Sequence, residues 1–234
     1  IVGEALGPAD LAAMVLMASD NGADVDHQSL LGNLAMIKGG GLEKYWKESE
    51  WYRCKHGNQS LSKELAQELT DKLLLRAPVQ SIQRHGDRFM IVAGDSSFEA
   101  DDVVLAIPPS VYDKIRIDPV LPEALKVRMG LALKYLAVVK NRFWTMEAYA
   151  PDGLSDGLIS QTWDATDGQS PRHGAVVTAF CSGPQAQASL DVGRDKRDTL
   201  HTQAIETLLP GFKDAFEKSR YMDWPREMWS AAGY

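Results

Sequence analysis

Leu131-Ala132-Leu133-Lys134-Tyr135-Leu136-Ala137-Val138-Val139 is almost wholly apolar, with one ammonium in its middle. A run of this length and composition reads as a strand of a packed sheet. A lysine there must reach a partner, a cavity or water, or else lose its charge. Upstream lies Asp101-Asp102-Val103-Val104-Leu105-Ala106-Ile107-Pro108-Pro109. Val103 to Ile107 is apolar and rich in β-branched residues, short enough for a buried strand. The two prolines stop it, because neither can donate to a sheet ladder.

Between and around these runs, helices and strands alternate. Residues 8–37 read as helices, with Pro8 and Asp10 at a start, Asn21-Gly22 as a turn and Asp26 as a candidate cap. Gly39-Gly40-Gly41 breaks the chain; it lacks the Lys-Ser/Thr of a P-loop and reads as a loop. A helix follows from Ser60 to Leu69, with Leu61, Leu65 and Leu69 on one stripe. Short strands are expected at Leu73 to Leu75, Val79 to Arg84 and Arg88 to Val92, with His85-Gly86-Asp87 as a hairpin turn. Gly94-Asp95-Ser96-Ser97 turns again, and Phe98 to Ile107 ends in the buried strand. Beyond Leu121 the expectation is a helix from Pro122 to Met129 and strands at Leu131 to Val139, Leu158 to Trp163 and Ala175 to Cys181. A helix from about Arg194 to Leu208, a helical turn from Phe212 and a brief strand at Tyr221 to Trp224 complete it. The fold class is α/β, with α+β character and a β-meander.

The chain has 234 residues, 44% of them hydrophobic, enough for one large domain or two modest ones. A net charge of −7 argues against nucleic acid or an anionic membrane as the main partner. No apolar run approaches the roughly 18 residues of a membrane span. Cys54 and Cys181 give neither a disulfide framework nor a metal signature. His27, His173 and His201 are isolated, no pair has metal-ligand spacing, and no Ser-His-Asp set is legible. No metal is expected. Ile1 is not an initiator methionine, and the end at Trp224 to Tyr234 is aromatic and packable, so a piece of a longer chain is the expectation. The compartment stays open, with a soluble, cytoplasmic protein as one expectation.

Five blocks together resemble the flavin-dependent amine oxidases, the family of monoamine, polyamine and L-amino-acid oxidases. Lys55-His56-Gly57-Asn58-Gln59-Ser60-Leu61 is similar to a Gly-Gly-x-x-x-Leu turn into a helix, with His56 in place of the first glycine. Arg76-Ala77-Pro78-Val79-Gln80-Ser81-Ile82 resembles the strand beside the adenine end of FAD. Asp102 to Pro109, then Ile117-Asp118-Pro119-Val120-Leu121-Pro122, resembles the strand returning from the FAD domain and its exit loop. Lys134, ten residues before Trp144, resembles the active-site lysine strand; Trp224, ten before Tyr234, resembles the aromatic approach to the flavin. Departures stand beside these matches. The GxGxxG dinucleotide loop, its acidic ribose-binding residue and the C-terminal segment that closes the flavin site are absent from these residues, so this chain alone is not expected to hold FAD.

The resemblance implies part of a two-domain flavoprotein: a Rossmann-like FAD-binding domain with a β-meander, and a substrate-binding domain of mixed sheet and helices. Residues 1–50 fall to the helical part of the substrate domain, 51–120 to the central FAD-domain segment, 121–223 to the substrate-domain sheet and 224–234 to the return towards FAD. It implies an enzyme that oxidises an amine or L-amino acid to an imine by hydride transfer to flavin N5, releasing hydrogen peroxide. Lys134 would hold a water against N5, and Tyr234 would form one wall of an aromatic cage that orients the amine. Val79 would meet the adenine through its backbone, and Trp224 would approach the cofactor. Trp229 and Arg53 are candidate substrate contacts, each with an ordinary alternative: Trp229 as core packing, Arg53 paired to nearby carboxylates; an amino-acid substrate would need a cation for its carboxylate, with Arg53 and Arg142 as the candidates. Gly233 stands where some relatives carry a flavin-linked cysteine, so FAD would be noncovalent. The partners implied are a small amine or amino acid, oxygen and the remaining polypeptide, with a homodimer compatible. Two other readings remain: a noncatalytic α/β module that binds a ligand or partner, and a flavoprotein desaturase or porphyrinogen oxidase.

Overall fold

The computed structural model describes residues 7–49, 51–169 and 174–233. The helices are α1 (Pro8–Ala18), α2 (Leu30–Gly39), α3 (Glu43–Glu48), α4 (Gln59–Glu68), α5 (Pro184–Asp191), α6 (Arg197–Leu208) and α7 (Phe212–Ala215). The strands are β1 (Val79–His85), β2 (Arg88–Ala93), β3 (Ser96–Ala100), β4 (Arg116–Asp118), β5 (Ala132–Val139), β6 (Gly153–Leu154), β7 (Gln161–Asp164), β8 (Ala175–Ser182) and β9 (Phe216–Met222). Among the described residues they form two sheets, in the orders β3-β2-β1-β4 and β6-β7-β8-β5-β9. The α/β class read from the sequence is the class observed.

Contacts divide the chain into two units. One runs from Gln28 to Ile107 and from Tyr112 to Lys126. It holds the β-meander β1-β2-β3, with β4 parallel to β1. Both meander turns are two-residue Gly-Asp pairs, with Gly86 at φ +64° and Gly94 at φ +61°. A positive φ at the first turn residue is what tight hairpins ask for and what glycine supplies at no steric cost. Ile82 and Ala93 are buried in this sheet. The leucine stripe on α4 is formed, yet Leu61 and Leu65 remain exposed.

The other unit holds the residues up to His27, Pro108–Val111 and everything from Val127 onwards. Strand β5 lies inside it, antiparallel to β8 on one side and to β9 on the other. Alternation decides its packing. Leu133, Tyr135, Ala137 and Val139 are fully buried, and Cys181, Ala179, Val177 and Ala175 of β8 lie opposite them on the same face. This face packs in one core with Ala186 and Leu190 of α5, Ile205 of α6, and Leu209 and Phe212. Each large side chain so buried is worth about 1.5–3 kcal/mol.

Four expected elements differ. The brief strand expected at Tyr221 to Trp224 is the end of the longer β9, and Trp224 opens a 3-10 turn. Residues 103–107 join neither sheet, and Val104 is 88% exposed. An extended apolar run becomes a strand only where it pairs with a neighbour; β1 is already flanked by β2 and β4, and neither outer strand, β3 or β4, pairs with this run. Residues 73–75 form no strand, and the helix expected over residues 122–129 is a single 3-10 turn, Glu123–Leu125. It ends because Lys126 leaves helical geometry at ψ 84°. Conversely α3 and α5 went unforeseen, although Pro184 sits at the first turn of α5, where its missing N–H costs nothing.

On the helix side of the sheet a polar network is buried with the core. His201 is fully buried and stacks on Tyr135 at 4.8 Å. Its Nδ1 lies 2.8 Å from the Arg197 carbonyl, which can only accept, so Nδ1 carries the proton. Nε2, 2.7 Å from Ser189 Oγ, then accepts from that hydroxyl. Burial, assisted by the Arg197 charge, holds the His201 pKa below its ordinary 6.5. A group with a depressed folded-state pKa takes up its proton more readily when unfolded. Stability is therefore full above pH 6.5 and is lost as pH falls below it. Denaturant unfolding between pH 7.5 and 5 should show stability falling as pH drops below 6.5, a fall that His201→Gln flattens. Parallel curves for the two proteins would refute the assignment.

Candidate functional site

Lys134 stands on the face of β5 opposite the helices. A residue's neighbours on a sheet face are its cross-strand partners. Register places Phe180 of β8 beside Lys134 on one side and Met222 of β9 on the other, with Gln161 of β7 beyond Phe180. Leu136, Thr178 and Trp163 form the next row. The Lys134 ammonium lies 5.3 Å from the Trp163 ring centroid and 5.7 Å from that of Phe180. It therefore leans across Phe180 towards β7, away from Met222. Cation–π attraction of this kind contributes about 0.5–2 kcal/mol. Among the described residues no carboxylate forms an ion pair with Lys134. The sequence placed this ammonium among aliphatic neighbours; the rings it meets are aromatic, brought in from β7 and β8.

The start of β5 is crowded by backbone. Gly22 donates its N–H to Ser182 Oγ at 3.1 Å, Ser182 Oγ donates to the Ser19 carbonyl, and Leu131 N–H donates to the Gly22 carbonyl at 2.7 Å. Gly22, at φ +79°, faces Gly130 so closely that a Cβ on it would lie 2.8 Å from Gly130 Cα. Gln161 Nε2 donates to Asp20 on the same turn. The turn Ser19–Asn21 and Gly22 are thus stitched to the lysine-bearing end of the sheet. The last described residues arrive there too. Gly233 donates to the Gly130 carbonyl at 2.9 Å, and a Cβ at Gly233 would stand 2.4 Å from Ala132 N and 2.5 Å from Ala132 Cβ. Ala132 and Lys134 share a face of β5. Ser110 Oγ donates to the Ser230 carbonyl, tying the turn after Pro108 to the same segment.

The other sequence candidates fall as follows. Tyr234 lies outside the described residues. Trp224 opens the 3-10 turn Trp224–Arg226 and is 41% exposed; Trp229 is 54% exposed. Both belong to the segment that returns to Ala132. Trp144 is buried in the core beside Phe143. Val79 opens β1 opposite Ala93, outside the ladder that β4 makes with Ser81, Ile82 and Gln83. Val79 and the exposed Arg53 belong to the other unit. Arg142, a candidate for a carboxylate-bearing substrate, is committed elsewhere. Its Nε donates to Asp164 at 2.7 Å and its Nη2 to the Thr166 carbonyl and hydroxyl. Sequence reasoning missed Phe180, Gln161 and Asp20 on the Lys134 face. Strand pairing register, absent from a linear sequence, is what unites them.

A flavin suits this face chemically. An ammonium held by rings and not by a carboxylate keeps its charge for an electron-rich neighbour, and the backbone approaching at Gly233 has no side chain in the way. The family model for flavin containing amine oxidoreductases matches residues 6–234. The flavin-containing amine oxidase of Danio rerio is 27% identical over 191 residues, 76% of this chain and 36% of that protein. The putrescine oxidase of Kocuria rosea is 27% identical over 199 residues, 76% of this chain and 41% of that protein. Cyclohexylamine oxidase from Brevibacterium oxydans superposes with a TM-score of 0.78 at 20% identity, covering 94% of this chain and 51% of that one. The chain thus spans well under half the length of these two sequence relatives. Among the described residues no helix is long and apolar enough to cross a membrane. With a match along nearly its whole length, this chain belongs to the flavin containing amine oxidoreductase family.

Proposed function

We propose that this chain supplies the lysine strand and part of the substrate-side sheet of an FAD-dependent amine oxidase. The observation that carries the reading is the Lys134 ammonium, 5.3 Å from the Trp163 centroid and without a carboxylate partner among the described residues. FAD, when bound, supplies a hydride acceptor for the C–H beside the amine and a site for reoxidation by oxygen, with an imine and hydrogen peroxide as products. Lys134 contributes a fixed positive charge that stabilises negative charge developing beside it in a water-poor site. It also donates hydrogen bonds that hold a water in place. Trp163 and Phe180 keep that ammonium in one position.

Two further features support the finer reading. An L-amino-acid substrate needs a cation for its carboxylate, usually arginine. Arg142, the candidate in the same unit as Lys134, already forks onto Asp164 and Thr166, which favours simple amines. Any Cβ at position 233 would fall 2.4 Å from Ala132 N, so a cysteine has no room there, which supports noncovalent FAD. Val79 as an adenine contact and Trp224, Trp229 and Tyr234 as parts of the flavin and substrate surroundings complete the proposal.

In the intact flavoprotein, a panel of primary amines should reduce the flavin and release one peroxide per amine consumed, while L-amino acids do neither. Turnover of L-amino acids, or amine-independent flavin chemistry, would overturn the reading. Lys134→Met keeps the stem and removes the charge. It should lower kcat/KM for the best amine about 10²-fold with little change in melting temperature. An unaltered rate would remove Lys134 from the mechanism.

A further inference from the structure

Residues 223–233 make an excursion whose two ends flank Lys134. Met222 is the cross-strand partner of Lys134, and Asp223 is the next residue. The excursion closes where Gly233 donates to the Gly130 carbonyl and presses on Ala132. It is therefore hooked around the lysine-bearing end of β5. Its large apolar side chains Trp224, Met228 and Trp229 are exposed, and the small Ala232 near its end is buried. At its departure charges meet. Asp223 Oδ2 lies 3.7 Å from Arg197 Nη2 and 3.4 Å from Arg226 Nη1, with the Asp223 and Arg197 side chains only 20% and 14% exposed. Asp223 Oδ1 also accepts from the Arg226 backbone N–H at 3.3 Å, and Arg226 Nη2 donates to the Leu190 carbonyl at 3.0 Å.

Arg197 refers this clasp to the sheet. Its guanidinium lies 4.0 Å from the ring centroid of Tyr221, which pairs directly with Tyr135 in the row next to Lys134. Arg197 Nε is buried and makes no hydrogen bond among the described residues, so stacking and charge hold the group. We propose that Asp223, gripped by Arg197 and Arg226, is a positioning residue that fixes the path of residues 223–233 past the lysine-bearing end of β5. Its bearing on amine turnover rests on the function proposed above; its effect on the segment does not.

The test uses the intact flavoprotein with three variants. Asp223→Asn keeps the hydrogen-bonding shape and removes the charge, Asp223→Glu keeps the charge, and Ile205→Val is a core control that lowers stability without touching the segment. Trypsin cleavage after Arg226, mapped by mass spectrometry under native conditions, reads the clasp directly. Cleavage should quicken about tenfold in Asp223→Asn, partly recover in Asp223→Glu and stay at the wild-type rate in Ile205→Val. KM for the best amine should rise about three- to tenfold in Asp223→Asn at unchanged flavin content, with kcat less affected. Equal cleavage in wild type and Asp223→Asn, or a KM shift in Ile205→Val as large as that in Asp223→Asn, would overturn the proposal. If the wild-type protein turns over no amine, the proposed function fails, and the cleavage rates still decide the clasp.

Discussion

The phase of strand β5 governs everything else in its unit. Its odd-numbered residues, Leu133 to Val139, are fully buried against helices, and its even-numbered ones face the other way. Side-chain period two makes this all-or-none: a slip of one residue would drive Lys134 into the helix-packed core and expose Tyr135. The cost of an unpaired buried ammonium alone forbids that arrangement. Eight register pairs with β8 and a second ladder with β9 lock the phase. The lysine's surroundings thus follow from the packing of residues it never touches.

The two faces of this sheet also divide the polar chemistry. On the helix side, acidic groups are answered locally. Asp198 accepts from Tyr135 at 2.7 Å, and Asp164 is held by Arg142 at 2.7 Å. Burial raises the Tyr135 and Tyr221 hydroxyl pKa values and pushes the Cys181 thiol up to about 12, so these groups stay neutral. On the other face the ammonium meets rings. A cation neutralised by a carboxylate has little field left to offer; one held by π-faces keeps it.

How much of this was legible depends on whether the signal was local. The β5 and β8 strands, the Gly-Asp hairpins and helix α6 were readable because periodicity and turn chemistry act over a few residues. Lys134 stood out because a charge in an apolar run is anomalous without any partner in view. What could not be read was pairing. Phe180 lies in a strand the sequence announces, and only its register opposite Lys134 makes it part of the site. Residues 103–107 failed in the opposite sense: their composition suits a strand, but no edge in either sheet takes them. Arg142 looked available in sequence and is consumed by Asp164, a contact across 22 positions that no local rule anticipates.

Glycine is the other long-range constraint. Gly22 and Gly130 lie back to back, and Gly233 packs on Ala132, each closer than any Cβ tolerates. These three positions come from distant parts of the chain, yet all meet at the first residues of β5. Glycines weaken a strand's approach by adding chain entropy, so their concentration at one strand end calls for a local reason. Close backbone packing supplies it: the segments carrying Ser19–Asn21 and Gly233 can reach the strand's entrance only if side chains are absent there. Ser182, whose hydroxyl both accepts from Gly22 and donates to the Ser19 carbonyl, then satisfies the polar groups that this packing buries. Gly130 links the two approaches: its Cα faces Gly22, and its carbonyl accepts from the Gly233 N–H.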